Sequence, residues 1–235
     1  MTTFKIKLTG LQHEVLIGLL LGDGSLKPSE SKIDTDRPAT FCLRVSQANT
    51  QQKKAYVFHL YEIFKDLTLS PPKLTDFEDK RNTSGLLSLT PQKKYEKWSF
   101  STRQLPCFRF YGHQFYNKNG DGERIKVIPK QIFKWLTPRA IAYWYMDDGA
   151  AKWQGHSLSM RFCTDCFSLS EVNLLRKVLQ DKHLVRCTNQ KQRKGYRIAT
   201  AEETSQRLID LIFDHVLQEM RYKLPRSKGN KKDKK

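Results

Sequence analysis

Two segments of this chain end in the same chemistry. Leu16-Ile-Gly-Leu-Leu-Leu-Gly-Asp23-Gly24 and Ile141-Ala-Tyr-Trp-Tyr-Met-Asp147-Asp148-Gly149 each run an almost wholly apolar stretch into a carboxylate followed by glycine. Read as helices, both place an acid at the C-terminus, where it opposes the macrodipole at a cost of about 0.3–1 kcal/mol. One Asp-Gly is an ordinary helix-ending turn. Two at matching places break a local rule twice, which points to a purpose. A small residue in the turn before each end, Gly18 and Ala142, would let the two helices approach closely and bring Asp23 and Asp148 together. Adjacent carboxylates repel unless a cation lies between them. All-oxygen ligands suit Mg²⁺, which in turn favours phosphate chemistry.

The elements that must position these acids recur twice. In the first half, Thr9 and Gln12 have capping-box spacing and open a helix over 9–22. Alternation predicts a strand over 39–47, and apolar spacing a helix over 54–67 closed by Pro71-Pro72. Strands follow over 73–78 and 94–102, joined by the turn-rich segment 79–84. A helical stretch over 105–116 starts after Pro106, and 117–122 reads as a polar linker. In the second half, Thr137-Pro138 starts a helix over 137–147. A strand over 158–164, a helix over 170–181 capped by Ser170, strands over 184–189 and 195–200 flanking a turn at 190–194, and a helix over 203–219 complete it. An internal duplication with a period near half the chain is the simplest account. Its halves are 1–116 and 129–225, with a linker at 117–128 and a basic tail at 226–235.

Charge narrows the partner. The 235 residues hold 42 Lys+Arg against 24 Asp+Glu, a formal net of +18. Eight basic residues and one acid from Arg221 onward carry +7, which leaves +11 on the body, so a solvated tail does not explain the excess. Nucleic acid is the expected polyanion. With 13 Phe, 9 Tyr and 4 Trp the chain has material for a core, against general disorder. The longest apolar run, 15–22, is far short of the roughly 20 residues of a membrane span, and no secretory signal precedes it. Five cysteines, an odd number, fit a reducing compartment. Cys163-Thr-Asp-Cys166 has no second pair at zinc spacing, and Glu78-Asp-Lys80 is a common triplet in a charged chain. Trp98, Phe100, Phe108 and Phe110 read as core, and 82–84 and the tail from Ser227 as mobile.

The two acidic segments resemble the paired motifs of the LAGLIDADG homing endonucleases, in the single-chain, two-motif branch. Residues 142–149, Pro71-Pro72 and Tyr222-Lys223-Leu-Pro225 are similar to intron-encoded organellar members. The resemblance spans roughly 8–225, and the first motif departs from the namesake at Leu21-Gly22. It implies an α+β fold of two pseudo-symmetric αββαββα half-domains, with a two-helix interface and a curved antiparallel-sheet saddle over DNA. It implies site-specific, Mg²⁺-dependent cleavage of double-stranded DNA, with Mn²⁺ as a substitute. Also implied are a long asymmetric target, 3′ overhangs, mobilisation of a host intron, action as a monomer and an organellar location. A group I intron RNA maturase with reduced cleavage is the alternative; a DNA-binding regulator without catalysis is another. Both acids being intact favours cleavage.

Residue by residue, Asp23 and Asp148 match the metal-binding acids, Asp147 precedes the second, and the carbonyls of Gly22 and Asp147 would join the metal shell. Lys126 and Lys223 match a lysine from each half, able to stabilise charge on phosphate or to help activate water. Gln47 resembles a position that orders water, with Thr164 or Cys163 as its counterpart in the second half. Alternation turns Arg44, Ser46 and Arg161 toward DNA. Lys80, Arg81, Lys191, Arg193 and Lys194 fall in hairpin turns, with Arg186 and Arg197 flanking the second. As a set they neutralise phosphates.

Overall fold

The computed structural model describes residues 6–29, 40–78 and 94–226. Lys80, Arg81 and the segments expected to be mobile lie outside them. The first half runs α1 (Gly10–Leu21), β1 (Ser25–Pro28), β2 (Phe41–Ala48), α2 (Gln51–Phe64), β3 (Lys73–Glu78), β4 (Lys94–Ser101) and α3 (Arg109–Gln114). A hairpin of β5 (Tyr116–Lys118) and β6 (Arg124–Lys126) follows, then a single turn, α4 (Ile132–Trp135). The second half runs α5 (Pro138–Asp148), β7 (Gly149–Ala151), β8 (Met160–Phe162), α6 (Leu169–His183), β9 (Cys187–Gln192), β10 (Gly195–Thr200) and α7 (Glu202–Ile212). Each half is αββαββα. The two antiparallel four-stranded sheets have equivalent orders, β1-β2-β4-β3 and β7-β8-β10-β9.

Local chemistry starts the key helices. Thr9 and Gln12 form the capping box of α1, and Thr137 caps α5 with Pro138 in its first turn. Such caps are worth about 1 kcal/mol each. From Val15 to Leu21 every residue of α1 is buried, and so is every residue of α5 from Ala140 to Asp147. The two helices pack on each other at the centre. A Cβ on Gly18 would fall 2.5 Å from the Ala140 carbonyl oxygen and 2.6 Å from the Tyr143 Cβ, so only glycine allows this approach. Arg139 of α5 pairs with Glu14 of α1 at 2.5 Å, and Tyr143 hydroxyl meets His59 Nε2 of α2 at 2.7 Å.

Several boundaries differ from the expectation. The three- and four-residue strands β7 and β1 carry no legible alternation, because one period-2 cycle is too short to register. Ser168, two residues before Ser170, caps α6 and forms a capping box with Glu171. The segment 158–164 is strand only at Met160–Phe162, since Ser157 bonds locally to Ser159 and Thr164 turns inward to the Tyr196 carbonyl. The second hairpin turn narrows to Arg193-Lys194, with Lys191 inside β9.

Two differences matter for the site. The polar linker contains the β5–β6 hairpin, which docks on the first half. Tyr116 hydroxyl accepts from the Leu26 N–H at 3.0 Å, and Arg124 donates to the carbonyls of Leu26 and Gly112 while stacking over Tyr116. The helix expected over 203–219 stops at Ile212. The chain then turns through Phe213–His215 and Gln218–Lys223 so that Val216, Met220 and Leu224 are buried. These two departures deliver Lys126 and Lys223. Of the four aromatics read as core, Phe100 and Phe108 are buried, Trp98 is half-buried under Lys54, and Phe110 is 52% exposed. All five cysteines are free thiols. Among the described residues no helix is long and apolar enough to cross a membrane.

Candidate active site and nucleic-acid interface

The ends of α1 and α5 bring three carboxylates together. Asp147 is buried and accepts from the Asp23 N–H through Oδ2 at 3.1 Å. Burial, then the charges of Asp23 and Asp148, hold its carboxyl well above the usual carboxylate range. The Tyr56 hydroxyl, fully buried beside it, has no partner among the described residues that meets hydrogen-bond geometry. The Asp148 carboxyl is pushed up to about 6, first by burial and then by Asp23. It accepts no hydrogen bond among the described residues, whereas the exposed Asp23 accepts one, from Gln47.

A lysine seals each helix end. Lys126 Nζ donates to the carbonyls of Gly22 (2.8 Å) and Gly24 (3.0 Å), and Lys223 Nζ to those of Met146 (2.6 Å) and Asp147 (2.8 Å). A cation at a helix C-terminus is electrostatically favoured. The price of burying the ammoniums shows in their acidity: desolvation lowers Lys126 and takes Lys223 down to about 8, against the pull of nearby acids. The carbonyls expected to join a metal shell, those of Gly22 and Asp147, each accept a hydrogen bond from one of these ammoniums and keep a second lone pair. Among the described residues, no side-chain hydrogen bond reaches the Asp148 carboxylate and one reaches that of Asp23.

Gln47 lies at the centre rather than at one side. Its Nε2 donates to Asp23 Oδ2 (2.8 Å) and Asp147 Oδ1 (3.2 Å), while its Oε1 accepts from Lys53 Nζ (2.7 Å). The lysine fixes which end of the amide faces the acids. Lys53 is absent from the expected site. It carried one signal: α2 has no acid in its first turn and holds Lys53-Lys54 as its third and fourth residues, cations where the macrodipole disfavours them. The expected counterparts in the second half do not match Gln47. Thr164 is committed to the Tyr196 carbonyl, and Cys163 bonds through its N–H to the Asp148 carbonyl and through Sγ to Asp165.

Strand register separates the two faces of each sheet. On the first, Leu26, Leu43, Val45 and Phe100 face the helices. The opposite face carries Lys27, Arg44, Ser46, Lys73 and Lys97, aligned across β1-β2-β4-β3. Asp76 and Glu96 pair on the helix-side parity, so no described carboxylate stands on the open face. Arg44 and Ser46 are therefore where alternation put them, and Lys27, Lys73 and Lys97 join them. On the second sheet, Arg161 and Arg197 share the open face with Thr188, Gln190 and Gln192. Lys191 has the parity of Asn189, whose side chain bonds to Asn173 of α6, so it belongs to the other face. Arg186 sits at the end of β9 remote from the turn, paired with Glu203 at 3.1 Å. Arg193 and Lys194 are exposed at the turn itself.

Comparisons with known proteins agree with this architecture. Residues 13–208 match the LAGLIDADG DNA endonuclease family. The chain is 32% identical over 235 residues to DNA endonuclease I-ChuI of Chlamydomonas applanata, covering 96% of this chain and 99% of that protein. It is 25% identical over 214 residues to the cytochrome b mRNA maturase bI2 of Saccharomyces cerevisiae, covering 89% of this chain and 46% of that one. Among solved structures, the homing endonuclease I-WcaI bound to its DNA recognition sequence superimposes with a TM-score of 0.77 at 25% identity, covering 93% of this chain and 88% of its own. With its two motif helices packed and its acids at their ends, this chain belongs to the LAGLIDADG DNA endonuclease family.

Proposed function

We propose that this chain is a site-specific DNA endonuclease that hydrolyses one phosphodiester on each strand of a duplex. The observation that carries the reading is the meeting of Asp23 and Asp148 at two packed helix ends between two open sheet faces, one of them free of described carboxylates. The donor set fits a hard divalent cation, because both acids keep carboxylate oxygens unclaimed while repelling each other. Asp23 and Asp148 would hold it. When bound it supplies Lewis acidity at the phosphate and lowers the pKa of water, Mg²⁺ being the favoured ion and Mn²⁺ a substitute.

The chain's own groups do the rest. Gln47, locked by Lys53, presents its amide to the acids and is placed to orient water between them and a phosphate. Lys126 and Lys223 put one positive charge beside each acid, where negative charge develops on the phosphate. The open faces hold the duplex by its backbone, and their different residues in the two halves read unlike half-sites, so the target is asymmetric. Both motifs stand on one chain, so a monomer suffices. The division into halves at 1–116 and 129–225 leaves the β5–β6 hairpin as the connection that sets Lys126. We further propose 3′ overhangs, a role in moving a host intron, and an organellar location. The test is a plasmid carrying the uninterrupted insertion site, incubated with Mg²⁺ or EDTA. Linear product in Mg²⁺ alone supports the reading, and intact plasmid in both contradicts it.

The similarity to a cytochrome b mRNA maturase favours a second activity, binding of intron RNA. Stimulated splicing of the host intron by the purified protein would establish it.

A further inference from the structure

The ion pair of Arg197 differs in burial and geometry from that of Arg186 in the same half. Arg197 lies on the open face of β10, between Tyr196 and the fully buried Ile198. Its Nε donates to Asp165 Oδ1 (3.0 Å) and Oδ2 (3.1 Å), and its Nη2 to Oδ2 (2.6 Å). The two side chains are 30% and 25% exposed, against 69% and 54% for Arg186 and Glu203. An exposed pair of the second kind contributes little, whereas a bidentate, half-buried fork holds its geometry.

The backbone is built around the pair. Asp165 belongs to the loop between β8 and α6, and a Cβ on Gly195 would fall 2.5 Å from its carbonyl oxygen. Glycine at the start of β10 is what lets that loop lean over the strand. Cys163 Sγ, 3.5 Å from Asp165 Oδ2, closes the other side. The same residue's N–H bonds to the Asp148 carbonyl, so the pair is tied to the end of α5. Mutual hydrogen bonding lowers the Asp165 carboxyl and raises the Arg197 guanidinium, keeping both charged.

A carboxylate that takes the Nε–Nη2 side of a guanidinium leaves the Nη1–Nη2 end free. No described group bonds to Nη1. That end carries two parallel N–H donors, the pattern that matches O6 and N7 of guanine in the major groove. A phosphate contact needs only charge, which a lysine ammonium supplies as a point charge without a planar fork. We propose that Arg197 reads a guanine in the half-site facing the second sheet, and that Asp165 is the positioning residue that aims it. The proposal rests on the endonuclease reading and adds the base it recognises.

The test is selection of bound sequences from a randomised duplex library by the wild type and by Arg197→Lys, Arg197→Gln and Asp165→Asn, with Asp165→Glu as rescue. The wild type should enrich guanine at a position where both Arg197 variants lose about tenfold to a hundredfold preference. Asp165→Asn should weaken preference at that same position, Asp165→Glu should restore part of it, and the other positions should not move. Superimposable profiles for wild type and Arg197→Gln would overturn the proposal while leaving the endonuclease reading intact. An Asp165→Asn protein that melts lower yet keeps the wild-type profile would show a structural pair and overturn the positioning role. A wild type that enriches no sequence would overturn the endonuclease reading, and this proposal with it.

Discussion

Gly22 and Asp147 occupy equivalent positions in the two motifs, and a Cβ on Gly22 would lie 2.5 Å from the Asp147 Cβ and 2.7 Å from its Oδ2. One motif supplies the hollow and the other the side chain that fills it. From there Asp147 reaches the Asp23 N–H and Gln47, so the fit of one pair sets the position of both functional helix ends.

Glycine substitutions should therefore sort by place. Gly22→Ala and Gly18→Ala should each destabilise by about 1–3 kcal/mol, as overpacking does. Gly10→Ala, in the same helix with nothing within 4 Å of its added Cβ, should be neutral or stabilising by up to about 1 kcal/mol. Urea unfolding of the three variants checks the order.

Asp148 is expected to make stability depend on pH and, as a proposed ligand, on metal. Its carboxyl titrates at about 6 in the fold against 3.8 in the unfolded chain, so the fold holds that proton more tightly. In chelator its contribution is complete below the unfolded value and is lost as pH rises through about 6. At neutral pH, Asp148→Asn should be more stable than wild type by about 1–2 kcal/mol, allowing for partial exposure. Adding a divalent cation should raise the wild-type Tm more than that of the variant. Equal metal-induced shifts would remove Asp148 from the metal site.

Lys53→Met should free the Gln47 amide to rotate. Cleavage should fall about tenfold to a hundredfold, as for other residues that orient groups around a metal site, with binding changed far less. Single-turnover rates and equilibrium binding measured on one selected duplex separate the two effects.

Lys73 and Arg44 should act on the salt dependence of binding rather than on sequence preference. Replacing either by Gln should reduce the slope of log K against log salt by about 1, at all sequences alike. Fluorescence anisotropy over a salt series gives that slope.

How far the chain could be read in advance followed physical scale. Long periodic segments such as α1, α5 and α6 declare themselves, and the acids at the ends of the first two were visible because they violate helix electrostatics. Gly18 was legible as a packing contact for the same reason that it is invariable in volume: a small residue in an apolar helix has little other use. Lys126 and Lys223 rested on resemblance alone, since the hairpin and the broken helix that aim them have too few residues to show a period. Lys53 showed only as a cation in the first turn of α2, and Asp165 as the partner of Arg197 was illegible, because hydrogen-bond geometry between segments leaves no local pattern. Lys191 falls inside β9 rather than in the turn because a turn boundary shifts easily by a residue or two, and one residue of register reverses a strand's faces.

Cleavage of a plasmid carrying a binding-selected site, by wild type, Asp23→Asn and Asp148→Asn in Mg²⁺, bears most directly on the paired acids. Wild type should give linear product that EDTA abolishes, and both variants should bind the same duplex but make no double-strand break. Full linearisation by either variant would contradict the assignment of Asp23 and Asp148 as the centre of the chemistry.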